Sequence, residues 1–114
     1  MLSVMSDLVD RRCQACSRNT PRLTAAQVDA LRGQAPKWQV QGERLHRQYR
    51  FRDFAAAIRF VDEMARIAEA EQHHPVFTVD VDKVEVENWT HAIGGLSEND
   101  FILAAKLDRA AGEA

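Results

Sequence analysis

The residues in this chain best suited to chemistry are three histidines. His73 and His74 stand side by side in the stretch EAEQHHPVF, immediately before Pro75, and His91 follows His74 by seventeen positions. Imidazole titrates near neutrality, so these side chains can both give and accept protons at working pH. A dehydration needs that pair of acts, because a departing hydroxyl is protonated while a proton is removed elsewhere. Pro75 disfavours helix at His74, so the doublet marks the end of a helix. There the partial negative charge of the helix C-terminus favours the imidazolium form. Glu69 and Glu71 supply carboxylates that can orient or charge-tune a ring.

Other readings stay open beside that one. A histidine taken singly is more often a satisfied polar residue than a catalyst, and His46, alone on a polar strand face, is assigned to that class. Three imidazoles also suit a catalytic zinc. However, neighbouring side chains on a helix point about 100° apart, and the His-x-x-x-His spacing is absent. No metal is therefore expected. Cys13 and Cys16 form a lone C-x-x-C, half of a zinc site or a redox pair. No further cysteine exists in the chain to complete the zinc site. A thioredoxin-like motif would need a strand before it and a helix after it. The cysteines are read as reduced thiols in a mobile tail.

The elements that would position the histidines follow from periodicity. Residues 1–22 show little of it and are read as a flexible N-terminal segment ahead of a domain over 23–114. Thr24 and Gln27 fit a capping box, opening a short helix that Gly33 and Pro36 end. Trp38 and Val40 at period two, a turn at Gln41-Gly42-Glu43, and alternation over 44–51 describe a β-hairpin, with Leu45, Tyr49 and Phe51 on one face. Asp53 caps a helix of about five turns whose stripe includes Phe54, Ala57, Ile58, Val61, Met64, Ala65 and Ala68. Phe77, Val79 and Val81 alternate with Thr78, Asp80 and Asp82, and Val84 and Val86 alternate with Lys83, Glu85 and Glu87. These are two half-buried strands turning near Val81-Asp82. Ser97 and Asp100 cap a last helix to about residue 110. Its apolar residues Phe101, Ile102, Leu103, Ala105 and Leu107 cover more than one face, which predicts a second cover from another subunit. Trp38, Phe51, Phe54 and Phe77 are expected in the core. The class is α+β, a four-stranded antiparallel sheet with three helices on one face, in the order α-β-β-α-β-β-α.

That hairpin carries a spatial consequence. With the turn at Val81-Asp82, cross-strand partners have numbers summing to about 163 in an antiparallel register. Phe77 then faces the neighbourhood of Val86 and Glu87, and extending the ladder brings His73 and His74 beside Trp89, Thr90 and His91. Trp89 shares parity with Glu85 and Glu87 yet adjoins His91. It either stacks on a flat ligand or covers the sheet rim.

Composition excludes several classes. A net charge of −2 over 114 residues leaves no electrostatic footprint for nucleic acid or anionic membrane. No apolar run nears the roughly 20 residues that span a bilayer. The start MLSVMSDLVDRRC lacks the basic and apolar regions of a signal peptide, so a cytoplasmic protein is expected.

Glu69-x-x-x-His73-His74-Pro75, His91, Gly95-Leu96-Ser97 with Asp100, and the following LAAKLD resemble the pterin-4a-carbinolamine dehydratase family, bacterial type. Trp38, the Tyr49-x-Phe51-x-Asp53-Phe54 run and the long helix extend the likeness over roughly residues 22–110. The resemblance implies a dehydratase that converts 4a-hydroxytetrahydrobiopterin to quinonoid dihydrobiopterin plus water. That reaction recycles the pterin of aromatic amino acid hydroxylases such as phenylalanine hydroxylase, with no cofactor and no metal. It implies His73, His74 and His91 as catalytic residues, with proton transfer at His73 and His91 and a hydrogen bond to the 4a-hydroxyl from His74. Glu69 and Asp100 match acidic positions and, with Trp89 and Thr90, make the candidate substrate-binding set. Asp100 also has a plain role as a helix cap. Homodimers or homotetramers are implied, as is a second role of the family, as the dimerisation cofactor of a homeodomain transcription factor. A binding module, or a relative acting on another pterin, is the alternative reading. Val81 departs from the aromatic residue usual there, and Gln72 stands where some members carry an acid.

Overall fold

Burial alternates along the two central strands and fixes which way the sheet faces. In RLHRQYR, Leu45, Arg47 and Tyr49 are buried while Arg44, Gln48 and Arg50 are exposed. In KVEVEN, Val84, Val86 and Asn88 are buried. The computed structural model describes residues 7–112. It contains α1 (Ala25–Arg32), β1 (Gln39–Gln41), β2 (Arg44–Arg50), α2 (Phe54–Glu71), β3 (Val76–Asp80), β4 (Lys83–Asn88) and α3 (Glu98–Ala110), in the expected order. The strands form one antiparallel sheet ordered β1-β2-β4-β3. Phe77 pairs with Val86 and Thr78 with Glu85, the register read from the turn. Val81 sits in that turn in left-handed backbone, φ 53.

Local capping sets the helix ends. Thr24 and Gln27 form the capping box of α1, and the Asp53 carboxylate accepts the Ala56 N–H at 2.8 Å to start α2. The buried face of α2 is Ala57, Phe60, Met64, Ile67, Ala68 and Glu71, the spacing of an amphipathic helix. Its C-terminus is a Schellman-type reversal. Gln72 adopts φ 52, its N–H reaching Glu69 O, while the His73 N–H returns to Ala68 O at 3.1 Å. Glycine is the usual residue at such a position, because a side chain in the left-handed region costs about 1 kcal/mol.

α3 explains the N-terminal segment, and the segment explains α3. Phe101, Ile102, Leu103, Ala104 and Leu107 are all buried within the single chain. The second cover expected from another subunit is supplied by the chain itself. Residues Leu8–Asp10 form a short 3-10 turn against α3, with Leu8 fully buried in the core. Leu8 N–H donates to Gln34 Oε1 at 2.7 Å, and Lys106 Nζ donates to Val9 O at 3.0 Å. Where a loose leader over residues 1–22 was the expectation, residues 8–16 are therefore tied to the domain. Residues 1–6 of that stretch lie outside the described residues.

The core runs between sheet and helices, centred on Trp38, Tyr49, Phe60 and Phe101. Two residues expected there lie at the surface: Phe54 is 55% exposed and Phe77 41%. Phe54 is the first residue of α2, and Phe77 belongs to the edge strand β3, most of whose residues are exposed. A charged residue takes the core position between Leu45 and Tyr49. Arg47 is 7% exposed, and Asp108 Oδ1 accepts from Arg47 Nη1 at 2.6 Å, Tyr49 OH at 2.5 Å and Trp38 Nε1 at 3.0 Å.

Candidate active site

The reversal at Gln72 takes the chain out of α2 as an extended segment, so the two adjacent imidazoles leave in different directions. His73 turns inward and is 8% exposed. His74 stays at the surface, with 57% of its side chain exposed. β4 runs antiparallel to β3 and ends at Asn88, and the chain then bends through Trp89 and Thr90 into a short turn, His91–Ile93. The Thr90 N–H donates to Gly95 O at 2.9 Å, closing the loop. His73, His74, Thr90 and His91 together line one open cavity of about 690 Å³. The ladder thus converges the histidines as its register predicted.

Each imidazole is backed by a different residue of the expected set. His73 Nε2 meets Asp100 Oδ1 at 2.6 Å. A carboxylate only accepts, so Nε2 carries the proton and Nδ1 is the nitrogen left for other partners. His74 Nε2 meets Glu69 Oε2 at 2.5 Å. His91 stacks on the Trp89 indole with ring centroids 4.2 Å apart and planes 19° from parallel. Arg44 Cζ also lies 3.9 Å from the Trp89 ring. Trp89 is thus in ring contact with two neighbours and does not line the cavity. Glu69 and Asp100 likewise stand behind their histidines.

Asp100 is fully buried and satisfied on both oxygens. Oδ2 accepts from Thr90 Oγ1 at 2.9 Å and from the Ser97 N–H at 2.9 Å, so it caps α3 and orients His73 at once. Asn88 Nδ2 donates to the Asp100 carbonyl at 2.7 Å, and Thr90 Oγ1 lies 2.6 Å from Ser97 Oγ. The network links the end of β4, the start of α3 and the end of α2, which holds the imidazole against rotation.

Glu71, read with Glu69 as a tuning carboxylate, serves the N-terminal segment instead. It accepts the Cys13 N–H at 2.8 Å and pairs with Arg12 at 3.0 Å and Lys106 at 3.6 Å. Burial alone would raise its carboxyl. The Cys13 N–H, the Lys106 ammonium and the Arg12 guanidinium together hold it below the usual carboxylate value. Sequence reasoning missed that Cys13, Gln14, Ala15 and Cys16 form one wall of the cavity. It also missed Asn99, whose buried amide holds that wall. His46 pairs with Glu85 at 3.7 Å on the polar side of the sheet, as its parity indicated. Among the described residues no group of three or more His, Cys, Asp or Glu is arranged to hold a metal ion.

A sequence profile described as Pterin 4 alpha carbinolamine dehydratase matches residues 21–110. The chain belongs to the pterin-4-alpha-carbinolamine dehydratase family. A protein of Gloeobacter violaceus, provisionally named pterin-4-alpha-carbinolamine dehydratase 1, is 44% identical over 94% of this chain and 96% of its own length. A provisionally named family member of Marinobacter nauticus is 43% identical over 91% of this chain and 97% of its own. The crystal structure of a transcriptional coactivator/pterin dehydratase from Brucella melitensis is 33% identical, with a TM-score of 0.77 over 81% of this chain and all of that one. A pterin dehydratase-like protein described as a RuBisCO assembly factor of the alpha-carboxysome shares the fold at TM-score 0.58 and 22% identity, covering 68% of this chain and 89% of its own. His73, His74 and His91 and the carboxylates Glu69 and Asp100 all fall inside the matched span.

Proposed function

We propose that the protein is a dehydratase acting on a 4a-hydroxytetrahydropterin, giving quinonoid dihydropterin and water. The observation that carries this reading is the convergence of three separately backed imidazoles on one cavity of about 690 Å³. That size suits a bicyclic ligand. The reaction breaks the C4a–O bond and removes the N5 proton. The N5 electron pair becomes the C4a=N5 double bond, and the hydroxyl leaves as water after accepting a proton. His73 and His91 carry the two proton transfers, and His74 hydrogen-bonds the 4a-hydroxyl. Asp100 keeps the His73 Nδ1 lone pair aimed by fixing the tautomer, Glu69 does the same for His74, and Trp89 holds the His91 ring flat. Such positioned acid–base groups each contribute about 10²–10⁴-fold.

The natural source of such a substrate is a tetrahydropterin-dependent aromatic amino acid hydroxylase acting in the same cytoplasm. The protein is proposed to work there as a homo-oligomer. No described helix is long and apolar enough to cross a membrane. Stopped-flow absorbance of 4a-hydroxytetrahydropterin decay tests the reading. Wild-type protein should accelerate the decay and His73→Ala should lose about 10²-fold or more of that acceleration. A wild-type protein that leaves the uncatalysed rate unchanged overturns it.

One observation favours a second reading, a binding module that stabilises a partner's assembly. Val76 (44%), Phe77 (41%) and Val81 (64%) are exposed on and beside the edge strand, and edge strands with apolar side chains invite pairing. In that case the histidines are dispensable. Loss of the cellular phenotype on both His73→Ala and His91→Ala, with the fold intact, eliminates it.

A further inference from the structure

We infer that Cys13 and Cys16 form a dithiol modification site, oxidised to an intramolecular disulfide by a low-molecular-weight disulfide and coupled to the histidine cavity through Asn99. Both thiols are free and partly buried, and both line the cavity shared by His73, His74 and His91.

Asn99 is the pivot. Its Oδ1 accepts the Gln14 N–H at 2.9 Å and its Nδ2 donates to Gln14 O at 2.6 Å, so one amide satisfies a backbone residue as a neighbouring strand would. The same Nδ2 lies 3.0 Å from Cys16 Sγ, and Cys13 Sγ lies 3.6 Å from the Asn99 carbonyl. Asn99 is buried at 5% exposure and directly precedes Asp100, the partner of His73. On the other side, the Cys13 N–H is bound by Glu71, two residues before His73. The strap is therefore fastened to both halves of the His73–Asp100 pair.

The two sulfurs are chemically unequal. Cys16 Sγ faces the Asn99 Nδ2–H at 3.0 Å, with no carboxylate among the described residues hydrogen-bonded to its residue. Burial first, and then the Glu71 carboxylate, push the Cys13 thiol up to about 12. Cys16 is thus the attacking thiol and Cys13 the resolving one. The Cys16 thiolate attacks the disulfide R–S–S–R, releasing one RS⁻ and leaving a mixed disulfide. Cys13, on losing its proton, displaces the second RS⁻ and closes Cys13–S–S–Cys16. The pair is oxidised, R–S–S–R is reduced to two thiols, and the two cysteine protons end on the leaving thiolates.

Geometry makes this oxidation a conformational event. Residues 11–17 contain no hydrogen-bonded turn or bend, and residues three apart in extended chain are separated by about 10 Å. A disulfide needs its Cα atoms within about 4.4–6.8 Å. The strap must therefore fold into a turn, and the paired Gln14–Asn99 bonds cannot survive it. Release of Asn99 loosens the first turn of α3, which carries Asp100. By linkage, a ligand that needs the docked strap opposes oxidation to the same degree.

The experiment equilibrates full-length protein in reduced and oxidised glutathione. Thiol state is read by alkylation and intact mass, and the Asn99 side-chain amide and His73 ring signals are followed by NMR. The expected result is one internal disulfide per chain, with the Asn99 and His73 signals shifting at the same midpoint and returning with dithiothreitol. Cys16→Ser should abolish the response, and Cys13→Ser should stop at a mixed glutathione disulfide. A disulfide that forms while Asn99 and His73 stay unmoved overturns the coupling. Thiols that oxidise only in unfolded protein overturn the site. In a pterin decay assay, oxidation should lower kcat/KM by about fivefold, a typical coupling. That last arm alone rests on the dehydratase reading, so its failure with intact NMR coupling points to the function and not to the switch.

Discussion

Asp100 and Asp108 stand on the same helix, and each gathers several donors around one carboxylate. Asp100 holds His73, Thr90 and the Ser97 backbone. Asp108 holds Arg47, Tyr49 and Trp38. Asp100 stands one side chain back from the histidine cavity, behind His73, while Asp108 itself borders a hollow of about 430 Å³ with Val9, Pro36 and Ala105. What separates them is whether a partner can change protonation. Guanidinium stays charged at any working pH, and phenol and indole keep their protons there. The Asp108 cluster is thus a fixed brace joining sheet to helix. An imidazole can both give and accept a proton at working pH, so beside His73 the same kind of carboxylate becomes part of a proton-handling site. A cluster of buried polar groups is therefore not in itself a sign of catalysis, and the exchangeable partner is what distinguishes one.

The contrast breaks most sharply at Asp108. Asp108→Ala removes the carboxylate that Arg47, Tyr49 and Trp38 share, and should cost about 3–5 kcal/mol in urea denaturation. The kcat/KM per folded molecule should stay at the wild-type value. Asp100→Asn should do the converse. It removes the charge-assisted acceptor of His73, worth about 1.5–3 kcal/mol, and so lowers kcat/KM about tenfold to a hundredfold. Part of that loss should appear as stability, because Asp100 also caps α3. If Asp108→Asn lowers the rate as much as Asp100→Asn at equal folded fraction, the division between brace and site is wrong.

Smaller effects sharpen the same division. Trp89→Ala should free the His91 ring and lower kcat by about tenfold, with Trp89→Phe restoring most of it, since stacking contributes about 0.5–1.5 kcal/mol. Stability should depend on pH through the N-terminal strap. Glu71 has a folded pKa below its unfolded 4.5, so its contribution is present above that value and is lost as pH falls through the lower one. Cys13 is raised from 9.0 to about 12, so the strap's stability is intact below pH 9.0 and declines as pH rises toward 12. Thermal denaturation across pH should show both losses, and Cys13→Ser should remove the alkaline one. Smallest is Gln72→Gly, which relieves the left-handed side chain and should raise stability by about 0.5 kcal/mol in urea.

Much of the fold was written in local pattern. The hairpin over 76–88 was legible because alternation and a single turn fix a register, and that register was enough to bring His91 to the doublet. The capping boxes were legible because their residues act on their own helix. The N-terminal strap was not, since Leu8 is buried by packing with α3, which is distant in sequence, and no periodicity around it announces this. Its trace in the sequence lay elsewhere, in the excess apolar breadth of α3, which equally fits a second subunit. Arg47 shows the same limit. It shares the inward face with Leu45 and Tyr49, a place where a charge is not expected from strand pattern, and its partner Asp108 lies sixty-one positions away. Asn99 sits beside a recognisable residue, yet nothing local says that its amide clasps Gln14. Phe54 and Phe77 have core chemistry and lie at the margins of what the helices cover.

A bound pterin is expected to meet three imidazoles at once. The most direct measurement is a titration of the reduced protein with a dihydropterin, followed through the nitrogen resonances of all four histidine rings. The rings of His73, His74 and His91 should move together with one binding constant, while His46, on the far face of the sheet, stays still. A saturable pterin that leaves the three unmoved, or that shifts His46 alone, would contradict it.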